Sequence, residues 1–325
     1  RPTRDGIHGR EYISTAIDLG KTPEFIRLAE DGSLEEGEMP LLDIPLPIIL
    51  RMPPFGATGP ATIAGWALAA RRLGTLFSAP VDILESLKPD FAPHLMPECT
   101  MEGEDLERIP AGNRLVEIPW SEDWKSRVDS VIRKDPSLLI SVRVPMAEGM
   151  EERSLTLAQE GIAIIHLEGS MSGLFLDDKT RYIKDGIRSV HRKLVEANIR
   201  DSMTLLVSGG ISLAEHVAKS MLCGADGVFV DFPALIALEC RMCRRCTEGL
   251  SCPVEIDQAS SGWVAARVVN LLGAWHNQLL ELMGAMGIRD ARRLRGEVGR
   301  AMFFEELDEK TFGPMGDVEE GCELE

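Results

Sequence analysis

The sequence predicts an α/β fold of the (β/α)8 TIM-barrel type, in which helices surround a closed parallel sheet. Eight short apolar segments alternate with amphipathic helical stretches between residues 47 and 231. Several of these segments are nearly continuous apolar runs, which is typical of strands buried on both faces of a parallel sheet. The chain has 325 residues, of which 44% are apolar, so it can bury one large core. A doubly wound open sheet is the alternative that fits the same alternation.

The eight predicted strands leave room for helices between them. The strands are Pro47–Arg51, Thr75–Ser78, Phe91–Met96, Leu115–Ile118, Leu138–Val144, Ile162–Leu167, Met203–Ser208 and Gly227–Asp231. The third and fourth have the weakest strand patterns. The predicted helices are Ala61–Leu73, Ser121–Arg133, Met150–Glu160, Lys179–Ala197 and Ser212–Cys223. This order of elements is the one that a (β/α)8 barrel requires.

The chain divides into five predicted segments. They are an N-terminal arm (1–40), a (β/α)8 barrel (41–235), a cysteine segment (236–258), C-terminal helices (259–304) and an acidic tail (305–325). We expect a short helix around Tyr12–Ala29 in the arm, and a long helix over Ser260–Met286 after the cysteines. The C-terminal helices are expected to pack beside the carboxyl-terminal face of the barrel.

Charge and hydropathy exclude two classes of function. Lys and Arg number 35 and Asp and Glu number 52, so the net charge is −17. Binding of nucleic acid or of an anionic membrane needs a basic surface, and neither is therefore expected. No apolar run approaches the ~18–20 residues of a transmembrane helix, and no signal-peptide core is visible, so we expect no membrane insertion. These features and the crowded cysteines predict a protein of the reducing cytoplasm.

Four of the seven cysteines lie close together and predict a metal centre. Cys240, Cys243, Cys246 and Cys252, the last followed by a proline, resemble the bacterial ferredoxin run that binds iron–sulfur clusters. Zinc usually takes two cysteine pairs separated by a dozen or more residues, and no second pair is present here. The pattern favours an iron–sulfur cluster, with a structural zinc site and four unliganded thiols as the alternatives.

Several motifs follow predicted strands, where barrel enzymes place their sites. Ser208, Gly209 and Gly210 follow the seventh strand, and loops after the seventh and eighth strands commonly bind phosphate through backbone N–H groups. Arg143 is a cation within the apolar fifth strand, which either points into the barrel mouth or lies on the surface. His166 closes the sixth strand and is a candidate proton donor, with a structural hydrogen bond as the alternative.

The residues from about Leu46 to Glu297 resemble the FMN-binding domain of glutamate synthase. The resemblance is carried by MPPFGATGPATIAGWALAARRLG after the first strand, by TLLVSGG, by LCGADGVFV and by ALIALEC with its following cysteines. It implies the cofactors FMN and an iron–sulfur cluster, and other redox subunits as partners. The residues implied to contact the flavin are Met52, Pro53, Pro54, Gly56, Ser208, Gly209 and Gly210, with Arg143 at the position of a family lysine.

The same resemblance implies that Cys240, Cys246 and Cys252 are the ligands of a 3Fe-4S cluster. Cys243 is an additional cysteine, and it favours a 4Fe-4S cluster instead. Asp231 stands where the family has small residues beside the FMN phosphate, and its carboxylate would repel that phosphate.

Three functions are open from sequence. The first is a flavo-iron–sulfur oxidoreductase that passes electrons between FMN and the cluster within a larger complex. The second is an ammonia-dependent glutamate synthase that reduces 2-iminoglutarate. The third is a flavin-free scaffold or cluster carrier.

Overall fold

Eight parallel strands close into a barrel at the centre of the protein. The computed structural model of the chain describes residues 12–21, 28, 31–32, 41–56, 59–99 and 103–297. Successive barrel strands are neighbours, and the last strand pairs with the first, which closes the sheet. The predicted fold class is therefore confirmed and the open-sheet alternative is excluded.

Two strands precede the barrel. β1 (Ile17–Gly20) and β2 (Leu41–Ile44) pair antiparallel. The barrel strands are β3 (Ile48–Arg51), β4 (Phe77–Pro80), β5 (Leu95–Glu98), β6 (Leu115–Pro119), β7 (Leu139–Pro145), β8 (Ile164–Glu168), β9 (Thr204–Ser208) and β10 (Gly227–Val230). All eight overlap the predicted segments. The third begins later than predicted, because Pro89–His94 form a 3-10 helix that carries two prolines.

The helix predicted for the N-terminal arm is wrong where the structure describes it. Ile17–Gly20 form a strand instead, and the alternation of apolar and polar residues there suits a strand half covered by the barrel. Ile17 and Leu19 are buried, and the backbone N–H of Gly20 donates to Thr204 Oγ1 at 3.1 Å. Thr204 begins β9, so the β1–β2 pair covers the amino-terminal end of the barrel.

Nine helices are described. They are α1 (Pro60–Leu73), α2 (Val81–Leu84), α3 (Gly103–Glu107), α4 (Trp124–Lys134), α5 (Met150–Gln159), α6 (Ile183–Glu196), α7 (Ala214–Cys223), α8 (Phe232–Ala237) and α9 (Ser261–Met286). None of these described helices is long and apolar enough to cross a membrane. The five helices predicted between the barrel strands are all present, and their ends differ from the predicted ones by a few residues.

The long helix α9 packs against α1 and α7, and so completes the outer layer of the barrel. This position is on the flank of the barrel and not at its carboxyl-terminal face, where we expected it. After α9, the described residues form only a 3-10 turn at Ala291–Leu294 in place of a second helix. The remainder of that predicted helix and the acidic tail, 298–325, lie outside the described residues.

Helix α9 approaches α1 closely because α1 carries a glycine at the contact. A Cβ atom placed on Gly65 would lie 2.5 Å from Cβ of Val264 on α9. That distance is far below van der Waals contact, so the two helices meet through the missing side chain.

We therefore expect Gly65→Ala to lower the free energy of unfolding by about 1–3 kcal/mol, since one methyl group would separate the helices. Gly273→Ala is the matched control, because a Cβ there meets nothing within 4 Å. The control should leave stability unchanged or raise it by up to about 1 kcal/mol through its helix propensity. Urea unfolding of both variants measures the difference, and equal effects would refute close packing at Gly65.

Candidate functional site

A cavity of about 640 Å³ opens at the carboxyl-terminal end of the barrel. Its walls come from the ends of six strands and the loops that follow them. The loop after β3 contributes Met52, Pro53 and Pro54, while Ser208 and Gly209 follow from β9. Catalytic and binding groups of (β/α)8 enzymes occur at this end of the barrel.

The structure brings five of the seven predicted flavin contacts together in this cavity, namely the five residues just named. The other two, Gly56 and Gly210, lie elsewhere. A Cβ on Gly56 would lie 2.9 Å from Cδ2 of Leu235. A Cβ on Gly210 would lie 2.4 Å from Cα of Gly173, in the loop after β8. Both glycines also have positive φ angles, so packing and turn geometry already require glycine there, and their contact with a flavin stays a prediction.

Arg51 links the walls of the cavity through two carboxylates. Its Nε donates to Glu98 Oε1 at 3.1 Å, and its Nη1 donates to Glu168 Oε1 at 2.7 Å. Both glutamates also line the cavity. Ser78 Oγ donates a further hydrogen bond to Glu98 at 2.9 Å. The ends of β3, β5 and β8 are thereby held by one guanidinium group.

Arg143 joins the same cluster from β7. Its Nη1 donates to Glu98 Oε2 at 2.9 Å, and its Nε lies 3.5 Å from Glu117 Oε1. The guanidinium therefore points inward at the mouth, and the surface alternative is wrong. Because it is paired with carboxylates of the protein, Arg143 is held in place by this chain. Its predicted role toward a flavin stays a prediction.

His166 lies one layer deeper than the mouth. Its Nδ1 is 2.7 Å from Glu117 Oε2 and its Nε2 is 2.8 Å from Ser208 Oγ, while its ring stacks on Phe229. The side chains of His166 and Glu117 are fully buried. The order hydroxyl, imidazole, carboxylate matches that of a serine nucleophile with its base. However, the imidazole is fully buried, and the cavity-lining group to which it is directly hydrogen-bonded is Ser208.

The ion pairs shift the acidity of the cluster. Burial alone would raise the pKa of Glu98, but Arg51 and Arg143 outweigh burial and lower it to about 2. The pKa of Glu168 is also lowered, since the same two guanidinium groups outweigh its burial. Both carboxylates are therefore ionised at neutral pH, and each is paired with a cation.

Asp231 stands at the cavity end of β10. Its Oδ1 accepts a hydrogen bond at 2.6 Å from the backbone N–H of Phe232, the first residue of α8. Burial raises the pKa of the Asp231 carboxyl above its ordinary value. Asp231 is thus an N-terminal cap that also faces the cavity.

The four clustered cysteines line one small cleft next to the cavity. Phe55 and Gly56 form its wall opposite the cysteines, and three arginines border it. The cysteines are Cys240, Cys243, Cys246 and Cys252, and the arginines are Arg241, Arg244 and Arg245. Within the described part of the chain, no three cysteine, histidine or acidic side chains lie close enough to hold one metal ion. The cleft is therefore shared by the four thiols without forming a single-ion site.

Sequence reasoning missed Arg51, Glu98 and Glu117 as site residues. Each is a charged residue within or at the end of an apolar strand, and this is the signal that could have identified them. Burial of a charge is costly unless it is paired, so charges in buried strands imply partners on neighbouring strands.

Glu98 should make stability depend on acid pH. Its pKa is lower in the folded state, so its stabilisation is complete above its ordinary pKa and is lost as pH falls from about 4.5 to about 2. Glu98→Gln should lower the free energy of unfolding by about 3 kcal/mol at pH 7. The difference from the wild type should shrink as the pH falls through that window.

Chemical denaturation at several pH values tests this expectation. Glu107→Gln is the control, since Glu107 belongs to an exposed ion pair with Lys134 at 3.9 Å. That change should cost less than about 1 kcal/mol at any pH. A difference for Glu98→Gln that does not vary with pH would contradict the assignment.

Comparisons with known proteins agree with this architecture. A family model described as a conserved region in glutamate synthase matches residues 104–289, more than half of the chain. The archaeal glutamate synthase [NADPH] of Archaeoglobus fulgidus is 28% identical over 192 residues, which cover 54% of this chain and 38% of the relative. The archaeal glutamate synthase [NADPH] of Methanocaldococcus jannaschii is 34% identical over 139 residues, which cover 41% of this chain and 27% of the relative. The matched parts of the chain thus cover well under half the length of these two relatives.

A longer match is found with the archaeal-type glutamate synthase [NADPH] of Thermotoga neapolitana. It is 23% identical over 386 residues, covering 98% of this chain and 75% of the relative.

Solved structures of mandelate oxidase share the fold. A variant with benzaldehyde has a TM-score of 0.56 at 16% identity, covering 87% of this chain and 81% of that one. A variant with the monooxide FMN adduct has a TM-score of 0.55 at 17% identity, and the match covers 87% of this chain and 82% of that one. The barrel, the family model and the relatives lead to the same conclusion: the chain belongs to the glutamate synthase family.

Proposed function

We propose that this chain is a flavo-iron–sulfur oxidoreductase of the glutamate synthase type, which passes electrons between FMN and an iron–sulfur cluster as a subunit of a larger redox complex. One observation carries the proposal. The loop Met52–Gly56 lines the barrel cavity with its first three residues and the cysteine cleft with its last two. A flavin and a cluster held in these places would be separated by little more than one loop.

The cavity fits the ring system of a flavin. Its volume of about 640 Å³ is within the range of small-molecule and cofactor sites. Met52 and the two prolines offer a stiff, apolar wall, while Ser208 offers a hydroxyl on the side of β9. FMN bound there would supply a group that accepts two electrons together and passes them on one at a time.

The residues of this chain would hold the flavin and set its surroundings. Arg51 and Arg143 lie at the mouth, and their positive charge is offset by Glu98 and Glu168, which they bind. The Glu117–His166–Ser208 hydrogen bonds fix the orientation of the Ser208 hydroxyl and connect it with groups that can exchange protons. Each guanidinium stays in position because carboxylates of the same barrel bind it.

The cysteine cleft suits a cluster better than a single ion. A cluster separates its thiolates by irons and sulfides, so its ligands lie farther apart than those of one zinc ion. A positive φ angle is uncommon in residues other than glycine. Of the five such residues in the described chain, four lie within or beside the cysteine run, namely Glu239, Met242, Arg244 and Glu255. Cys243 and Cys246 are exposed, which leaves the cleft open to a partner protein on that side.

The charges at the mouth argue for electron transfer over synthesis of glutamate by this chain alone. A dicarboxylate such as 2-oxoglutarate needs cations that are free to bind it. Arg51 is the only cation among the described cavity residues, and it already holds Glu98 and Glu168.

Flavin binding can be tested by filling the cavity. Met52→Trp should reduce flavin bound to the purified protein by about tenfold or more, because the indole would occupy the wall where the ring lies. Leu213→Trp is the control, since Leu213 is 54% exposed and does not line the cavity. Visible absorption of both folded variants gives the flavin content, and equal flavin in both would place the ring elsewhere.

The cluster can be tested at the cysteines. Cys240→Ser or Cys252→Ser should abolish binding of iron and acid-labile sulfide, since each would remove a thiolate that every cluster type requires. Cys243→Ser should convert the centre to a 3Fe-4S cluster, visible by EPR in the oxidised protein. Cys99→Ala should retain the cluster. Cys99 is a buried residue directly after β5, and burial raises the pKa of its thiol to about 12.

Two results would contradict this assignment of ligands. Wild-type protein that carries zinc without acid-labile sulfide would exclude the electron-transfer role. Unchanged iron content and spectrum in Cys243→Ser would show that Cys243 is no ligand and that the centre is of the 3Fe type.

A further inference from the structure

The loops after the last two barrel strands form one end of the cavity. Ser208 and Gly209 follow β9, and Asp231 follows β10. In (β/α)8 enzymes this is the usual place for a ligand phosphate, which binds at the N-terminus of a short extra helix. Helix α8 is such a helix, and it begins at Phe232 directly after Asp231.

In this chain the protein itself supplies the anion at that position. The carboxylate of Asp231 accepts the N–H of Phe232 at 2.6 Å, so this donor is not available to a ligand. A phosphate monoester carries about −1.5 to −2 charges at neutral pH and would meet a like charge there.

Among the described cavity residues, the cation that acts on Asp231 is Arg51, whose charge favours the ionised carboxylate but does not outweigh its burial. Arg51 is the only described cavity-lining cation, and it forms ion pairs with Glu98 and Glu168. Those two glutamates line the cavity as well. The described lining groups thus have more negative than positive charge, which opposes a dianion.

The glycine turn after β9 faces two different cavities, and Gly210 lines the second one, which has a volume of about 300 Å³. Gly210 is not among the residues of the barrel cavity, and it packs against Gly173 of the loop after β8. The turn therefore opens to the barrel cavity at Ser208 and Gly209, which can bind hydroxyl groups of a ribityl chain but carry no charge, whereas the lysines Lys184 and Lys219 line the second cavity.

We propose that Asp231 makes this site discriminate against the phosphate of its flavin, so that a flavin with an uncharged ribityl tail, of the riboflavin class, binds at least as tightly as FMN. The inference rests on the flavin site proposed above and specifies which part of the flavin the protein recognises. Recognition lies in the ring and the ribityl chain, and the phosphate weakens binding.

The test is a titration of flavin-free protein with riboflavin and with FMN. The wild type should bind FMN no more tightly than riboflavin. Asp231→Asn keeps the size and capping ability of the residue and removes its charge. It should bind FMN tighter by on the order of tenfold or more, as expected for removal of a nearby like charge, and should bind riboflavin within about twofold of the wild type.

Two further variants make the result specific. Asp231→Ser can also cap α8, and it should show the same gain for FMN. Asp129→Asn, on the exposed face of α4, changes the net charge equally and should leave both affinities unchanged. Thermal unfolding of each variant confirms that the proteins compared are folded.

The outcomes separate the two proposals. If the wild-type protein binds FMN at least tenfold more tightly than riboflavin, the inference is overturned, while the proposed flavin site stands. This outcome does not depend on whether the variants fold. Equal gains for FMN and riboflavin in Asp231→Asn would also overturn it, since the effect would not concern the phosphate. Folded wild-type and variant proteins that bind neither flavin would overturn the proposed flavin site and this inference together.

Discussion

Two arginines and three glutamates at the mouth of the barrel form the interaction on which the site depends. Arg51 and Arg143 bind Glu98, Glu117 and Glu168, and these five residues come from five different strands. Isolated charges would be too costly at this depth, so each residue is tolerated only because the others are present. The cluster therefore fixes the strand ends against one another and shapes the cavity that they enclose.

The cavity and the cysteine cleft are coupled through the loop after β3. Its prolines restrict the backbone, and its Phe55 ring lies 5.1 Å from the guanidinium carbon of Arg244 in the cysteine segment. A displacement of this loop would change both places together. The spatial relation of the two candidate cofactor sites is thus set by the few residues of this one loop, which line both.

The fold was predictable from sequence because it depends on local patterns. Buried parallel strands are apolar runs of four to seven residues, and β7 and β9 show this without ambiguity. The arm was predicted wrongly, since Ile17–Gly20 form a strand only by pairing with Leu41–Ile44, a partner that local sequence does not reveal.

The same reason explains which parts of the site could be predicted. Ser208 and Met52 could be placed at strand ends, whereas the pairing of Arg51 with Glu98 and Glu168 depends on which side chains the barrel brings together. For Gly56 and Gly210, a glycine that packing requires looks the same in sequence as one that contacts a ligand, so their contact with a flavin stays a prediction.

Helix α9 has a consequence for the segment that precedes it. Because α9 completes the outer layer of the barrel, the cysteine segment is a loop with two anchored ends. Leu238 and Ile256 are both buried at these ends, and Thr62 Oγ1 of α1 donates to the carbonyl of Ile256. A loop closed in this way has fewer conformations than a free terminal tail of equal length. Its thiols therefore lose less chain entropy when they are gathered around a ligand, so the closure of the barrel also favours assembly of a metal centre at its side.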